Sequence, residues 1–360
     1  MLIDAPSVSR CALESCHEHG GGRETLRRQR GMSLVELMIG MALGLLLLTA
    51  LGSLYFSTTQ SRTQLANSAS QIENGRYVLD LISQELGLAG FLGASSLRSS
   101  AALSAPDVCA VATNALGFSS SPATVPVAVY GYAAGANAPC LSNLSANSEI
   151  LVVRRVSTTS ATTATAGQAY LQASFCPSDS VPFVFSSTAT DFTMRTKACS
   201  STALAELRQA SVRVFYIATC DRCSNGGDGI PTLKMAELSG GAFQINSIVQ
   251  GVQDIHFAYG VDMDGNGSAD CYVSDPGVDN SAACTAVSGY SWATSLTNWS
   301  NVTAVRINVL ARTLNIAPGW SDTRTYDLGR GTVSGPFKDG YKRHVYAEVA
   351  RLANVAGPRE

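Results

Sequence analysis

Charge is scarce in this sequence. Asp, Glu, Lys and Arg make up 14 % of its 360 residues, and the formal net charge is −2. No block of like charge occurs, so the basic footprint of a nucleic-acid-binding protein is absent and nucleic acid is not an expected partner. Histidine is nearly missing as well: beyond residue 60 there are only His256 and His344. His256 lies in a strand pattern and reads as a packing or surface residue. No Walker-type loop and no G-x-S-x-G elbow appear, and "GYSWA" (Gly289–Ala293) lacks the closing glycine. These absences argue against an enzyme. What is abundant is apolar: 46 % of residues are hydrophobic, which points to a globular chain with a large core, long enough for two or three domains. Beyond residue 90 the chain is rich in Gly, Ser, Thr and Ala, a composition common in exported β-rich domains.

The most telling absence is local. From Leu37 to Phe56 no residue is charged and none is proline. At about 1.5 Å per residue these positions span roughly 30 Å, one bilayer core. The run exceeds the apolar region of a cleaved secretory signal, and polar helix-forming sequence follows it directly, so it reads as a retained membrane span. Arg23, Arg27, Arg28 and Arg30 precede it, which puts the N-terminus in the cytoplasm and the rest outside. Ten cysteines agree with that orientation. Cys11 and Cys16 precede the span, and Cys109, Cys140, Cys176, Cys199, Cys220, Cys223, Cys271 and Cys284 follow it. An even, dispersed set beyond a span suggests disulfides in an oxidising compartment, with the pairing open.

One acid, Glu36, stands at the start of the span, where a carboxylate either snorkels into the headgroups or has a purpose. The surrounding "GMSLVE" resembles the class III (type IV prepilin) leader junction. The resemblance implies cleavage after Gly31 by a membrane prepilin peptidase, N-methylation of the new terminus Met32, and a subunit-assembly role for Glu36, the fifth mature residue. In that scheme Glu36 pairs with the amino terminus of a neighbouring subunit and selects register. The leader is longer than many, the first mature residue is Met rather than Phe, and the span lacks the proline common in major pilins. Gly40, Gly44 and Gly52 could instead loosen the helix or permit close packing, and Gly40-x-x-x-Gly44 is a weak packing motif.

Ser57–Leu86 continues without proline. Leu65, Ile72, Leu79 and Leu86 recur every seven residues, widened by Ala69, Val78 and Ile82, opposite Gln64, Glu73, Asn74 and Asp80. This is an amphipathic helix with one buried side, continuous with the span, and "GLAGFLG" (Gly87–Gly93) stops it. "IENGRYVLDLISQELGLAGFLG" (Ile72–Gly93) resembles the PilW family of type IV pilus minor pilins, as do "RVFYIAT" with "GIPTLKM" (Arg213–Met235) and "AYGVDMDGNGSADCYV" (Ala258–Val273). Beyond residue 100 short strands are expected at Val125–Tyr132, Glu149–Val156, Val181–Ser187, Ser211–Ala218, Val252–Asp262 and Val302–Thr313. The last alternates Val305, Ile307, Val309 and Ala311 with Arg306, Asn308 and Arg312, as a half-buried strand does. Ser157–Ala166 reads as a surface loop.

Asp262, Asp264 and Asn266 at alternate positions, then Gly267 and Asp270, fit the opening of an EF-hand-type calcium loop. The distal Glu is replaced by Val273, and the competing reading is a polar β-turn. Calcium is the one candidate cofactor, since zinc at Cys220 and Cys223 would want a second pair of suitable spacing and none is evident. Cys220-x-x-Cys223 precedes a turn rather than the helix of a thioredoxin-like motif and reads as a structural disulfide, and Cys271 and Cys284 bracket a loop they could close.

The expected fold is α+β: a cytoplasmic leader (1–31), a long helix (32–90, with 37–56 transmembrane) and a β-rich, disulfide-linked head (91–360). The resemblance implies a minor pilin in a priming and tip complex, supporting adhesion and twitching motility. The implied partners are the prepilin peptidase, other minor pilins, the major pilin, the inner-membrane assembly platform and a tip adhesin. The location implied is the inner membrane, then the pilus. The alternatives are a type II secretion pseudopilin and a singly anchored periplasmic binding domain.

Overall fold

The structure is a computed structural model that describes residues 31–357. The leader arginines, Cys11 and Cys16 lie outside the described residues. The chain divides into two units, Met1–Gln60 and Ser61–Glu360.

In the first unit the described residues are the start of one helix, α1, which runs Leu34–Leu88 and continues into the second. Its first backbone bond is Leu37 N–H to the Ser33 carbonyl, 3.1 Å. Leu, Met and Ala dominate this stretch and are strong helix formers. The side chains from Leu34 to Phe56 are exposed, and the helix is long and apolar enough to cross a membrane. Thr49, Ser53 and Thr58 donate their hydroxyls to the carbonyls of Leu46, Ala50 and Leu54, so these three polar hydrogens are satisfied within the helix.

Among the described residues the second unit holds the rest of α1 and four sheets, of which the two largest are antiparallel. The first sheet uses β1 (Val129–Tyr132), β2 (Ile150–Val156), β3 (Tyr170–Ala173), β4 (Phe183–Ser186), β5 (Leu207–Ala218), β6 (Thr232–Ser239) and β7 (Ala242–Gln250). Its order is β7-β6-β5-β2-β1, with β3 on the first residues of β5 and β4 beside β3. The second sheet has the order β9-β8-β10-β11, from β8 (Val252–Val261), β9 (Cys271–Val273), β10 (Val302–Arg312) and β11 (Arg343–Arg351). Gly251, at φ +77°, makes the turn by which β7 passes to β8 and the chain changes sheet. The expected strand Val125–Tyr132 is two pieces, because Val127 and Ala128 break between Ala123–Pro126 and β1. β6, β7 and β11 have weak apolar alternation and were not expected.

The outer part of α1 packs against both sheets. Val78, Leu79, Ile82 and Leu86 share a core with Leu151, Phe215 and Ile217 of the first sheet and with Ile255, Phe257, Val305 and Ile307 of the second. Each such side chain contributes about 1.5–3 kcal/mol when buried. The other face of the first sheet is covered too, by a cluster including Ile150, Val152, Val214 and Tyr216, which is why "ILVV" is apolar on both faces.

Three expectations need correction. The heptad stripe is only half right: Leu79 and Leu86 are buried, but Leu65 and Ile72 are exposed. A strict seven-residue repeat drifts by about 20° per heptad on a straight helix, which carries the earlier members off the packed face. In their place Gln71, Gly75 and Glu85 are buried. Asn74, expected on the solvent face, is half-buried and donates to the Gln250 carbonyl at 3.1 Å. Finally, β10 is not half-buried: only Arg306 in it is exposed, because a segment carrying Tyr326, Leu328 and Phe337 covers Leu310 on its other face.

The helix ends as its glycines foretell. Gly90 takes φ +73° and donates to the Arg154 carbonyl of β2 at 2.9 Å, handing the chain to the sheet. Asn354, in the short helix Ala353–Ala356, reaches the carbonyls of Gly87 and Ala89, each at 3.3 Å, and so caps the helix end.

Candidate functional site

Three groups of residues carry the functional expectations. The first is the start of α1. Gly31, Met32 and Ser33 precede the helix in open, exposed backbone, and a Cβ on Gly31 would meet nothing. The junction is therefore sterically accessible to a protease. Glu36 lies in the first turn, where a carboxylate favours the positive end of the helix dipole, and it makes no ion pair or hydrogen bond with any described residue. Its side chain is exposed beside Leu34, Val35 and Met38, an acid set among apolar neighbours.

The second group fastens α1 to the sheets within the second unit. Gln71 Nε2 donates to the carbonyls of Ala311 (2.7 Å) and Lys342 (3.0 Å). Glu85 is buried and binds two arginines of the first sheet, Arg155 at 3.3 Å and Arg213. Arg213 is held in turn by Glu237 at 2.8 Å. Burial works to lower the Arg213 pKa, but the bonds and charges of Glu237 and Glu85 outweigh it and leave it raised. A polar helix face is thus paired residue by residue, which fixes rotation and register as apolar packing alone does not.

The third group is the aspartate loop between β8 and β9. Asp262 is buried, and its two carboxylate oxygens accept the N–H groups of Gly265 (2.8 Å) and Gly267 (2.7 Å). Asp270 accepts Met263 N–H at 2.7 Å, and Asp264 accepts Asn266 N–H at 3.0 Å. Carboxylate oxygens of Asp262, Asp264 and Asp270 lie within 4.8 Å of one another. Asn266 is not aimed with them: its oxygen accepts Ser268 N–H at 2.8 Å and its amide donates to Asp264. An all-oxygen donor set of this size suits a hard cation such as calcium rather than zinc, and each engaged oxygen keeps a further lone pair. The chain enters a strand after the loop, so Val273 cannot be replaced by a ligand from a following helix. Gly267 is required by packing, since a Cβ there would stand 2.5 Å from the Ala356 carbonyl oxygen.

The eight cysteines beyond the span pair in chain order: Cys109–Cys140, Cys176–Cys199, Cys220–Cys223 and Cys271–Cys284, with Cα separations of 5.1–5.6 Å. The last closes the loop that follows β9.

A further buried network has no local sequence signature. His256 Nδ1 lies 2.8 Å from Glu149 Oε1, and Arg330 reaches Glu149 at 2.9 Å and Asp254 at 2.7 Å. Burial pushes the Glu149 carboxyl up, but the bond and charge of His256, the Phe257 N–H and Arg330 together bring it below its ordinary value. Glu149 and His256 are 107 residues apart, and Arg330 is farther still; the only available signal was an acid at the head of an apolar strand.

Comparison with known families gives two matches. Residues 214–354 match the family described as type IV pilus-assembly protein W, and residues 26–52 match the prokaryotic N-terminal methylation motif. The first match contains β6 to β11, the aspartate loop and two of the four disulfides. The second contains the Gly31–Met32 junction and Glu36. No curated protein and no solved structure matches the chain.

Proposed function

We propose that this chain, a type IV pilus minor pilin of the PilW type, is cut between Gly31 and Met32 by the prepilin peptidase, methylated at Met32 and assembled through Glu36. The observation that carries the reading is the first part of α1: an exposed apolar helix with one acid in its first turn and no partner for that acid among the described residues. In lipid such a carboxylate is costly, and a neighbour's new α-amino group would relieve it. Before assembly the protein sits in the inner membrane with residues 1–31 cytoplasmic and the head periplasmic. The arginines before the span and the disulfides beyond it support that orientation.

The head, from residue 91 on, is bulky for a repeating shaft. It joins other minor pilins in a complex that primes assembly on the inner-membrane platform and then sits at the tip, in contact with the major pilin and an adhesin. There it supports adhesion and twitching motility. PilW-type domains are structural, and the head works by docking rather than catalysis. Asp262, Asp264 and Asp270 take calcium, which would brace the loop between β8 and β9.

The test is the mature N-terminus. Mass spectrometry of membrane-extracted protein should show it at a methylated Met32, and a strain carrying only Glu36→Ala should lack normal piliation. An intact Met1, or normal pili in that strain, would overturn the reading.

A further inference from the structure

Among the described residues Arg98 is a cation without an anion. It lies in the short helix α2 (Leu97–Ser100), just after the α1 exit turn. Its Nη1 is buried with no hydrogen-bond partner, and no described carboxylate forms an ion pair with it. The guanidinium is wedged against that turn: a Cβ on Gly90 would stand 3.0 Å from its Cζ. The side chain lines a cavity of about 420 Å³ whose wall includes Ser96, Ser300, Asn354, Val355 and Gly357, and no Asp or Glu contributes to it among the described residues. A second arginine reaches the same wall. Arg351 Nη2 donates to the Gly357 carbonyl at 3.2 Å, its Nε is buried without a partner, and it too has no described ion-pair partner. Burial alone lowers the Arg98 pKa to about 10, which leaves the group charged at neutral pH. Elsewhere in this head Glu85, Asp322 and Asp254 are paired with Arg155, Arg343 and Arg330, and Arg154 and Lys234, buried without an ion pair, donate to the carbonyls of Pro106 and Asp221; Arg98 has no acceptor among the described residues. A buried cation without an acceptor is costly, so its retention beside an open cleft needs a reason.

We infer that this cavity is a carboxylate-binding pocket, in which the guanidinium of Arg98 takes a carboxylate and Leu103 and Val355 flank the carbon stem behind it. A carboxylate suits the site better than a phosphate. The planar fork of one arginine matches a planar monoanion. The neighbouring donors are largely committed, since Ser95 and Ser99 donate to the carbonyls of Leu92 and Ser96, and the Asn354 amide caps α1. The carboxylate comes either from a free small acid or from an acidic side chain of a neighbouring pilus subunit.

The experiment uses the full chain in detergent micelles, labelled with ¹⁵N-arginine, titrated with sodium acetate and, at matched ionic strength, with acetamide and sodium chloride. The Arg98 side-chain resonance should shift saturably with acetate and with neither control. Arg98→Gln should weaken the saturable acetate response of the neighbouring Arg351 by about tenfold or more while leaving the Arg330 resonance unchanged and the melting temperature no lower. Equal responses to acetate and chloride, or an acetate response intact in Arg98→Gln, would overturn the proposal. Repeating the titration on the chain co-purified with its pilus subunits assigns the source: a pocket closed to acetate holds a subunit's side chain, and one still open serves a free acid.

Discussion

The ring of Tyr346 on β11 fills the space that Gly75 of α1 leaves open. A Cβ on Gly75 would stand 2.4 Å from two of its ring carbons. The glycine of "NGRY" therefore sits mid-helix because the helix approaches the sheet there. Elsewhere in a helix, Gly→Ala would gain up to about 1 kcal/mol of propensity. Here overpacking, about 1–3 kcal/mol, should win. Gly75→Ala should lower the melting temperature of the full chain, and adding Tyr346→Ala should cost less than the two single losses combined. A stabilised Gly75→Ala would show that the ring swings aside freely.

Glu85 holds α1 by charge. Glu85→Ala strands Arg155 and Arg213, whose side chains are 10 % and 23 % exposed. The expected loss is about 2–4 kcal/mol, less than for a fully buried pair because water and Glu237 still reach Arg213. Replacing Glu85 and Arg155 together by Leu and Met should recover part of it. Denaturant unfolding curves provide the check.

Glu149 should make the head acid-sensitive. Its folded pKa lies below the ordinary 4.5, so the stability it contributes is present in full above that value. It is lost as pH falls through the lower folded value, because the unfolded chain then binds the proton first. Melting temperature against pH should fall steeply below about 4.5 in the wild type and less steeply in Glu149→Gln. Parallel curves would show that the pairing with His256 and Arg330 does not govern the acid limb.

The aspartate loop separates two roles. Asp262 holds two backbone N–H groups, so Asp262→Ala should loosen the loop with or without calcium, by about 1–3 kcal/mol. Asp264 is exposed and bonds only to Asn266, so Asp264→Ala should leave the metal-free melting temperature nearly unchanged. It should abolish the rise that calcium produces in the wild type. If millimolar calcium, added after chelator treatment, fails to raise the wild-type melting temperature, the loop is a turn and nothing more.

The features legible in the sequence are those that local chemistry writes into neighbouring residues. An uncharged run from Leu37 to Phe56 can only be a span or a core helix, and Gly31, Met32 and Glu36 lie together beside it. The α+β class, the helix exit at the glycines after Leu86, the Asp-Gly turn and the strands with strong apolar alternation were readable for the same reason. The long-range decisions were not. The rotation of α1 depends on Gln71, Gly75 and Glu85 finding partners 70 to 271 residues away, and a seven-residue stripe pointed to a somewhat different face. The cysteine count implied disulfides, but only proximity in the folded chain chose the pairs. No local pattern marks Glu149 as the partner of His256, or Arg98 as a cation without an anion among the described residues. Such facts arise where distant segments cross, and they depend on which charges the packing brings together and which it leaves unmatched.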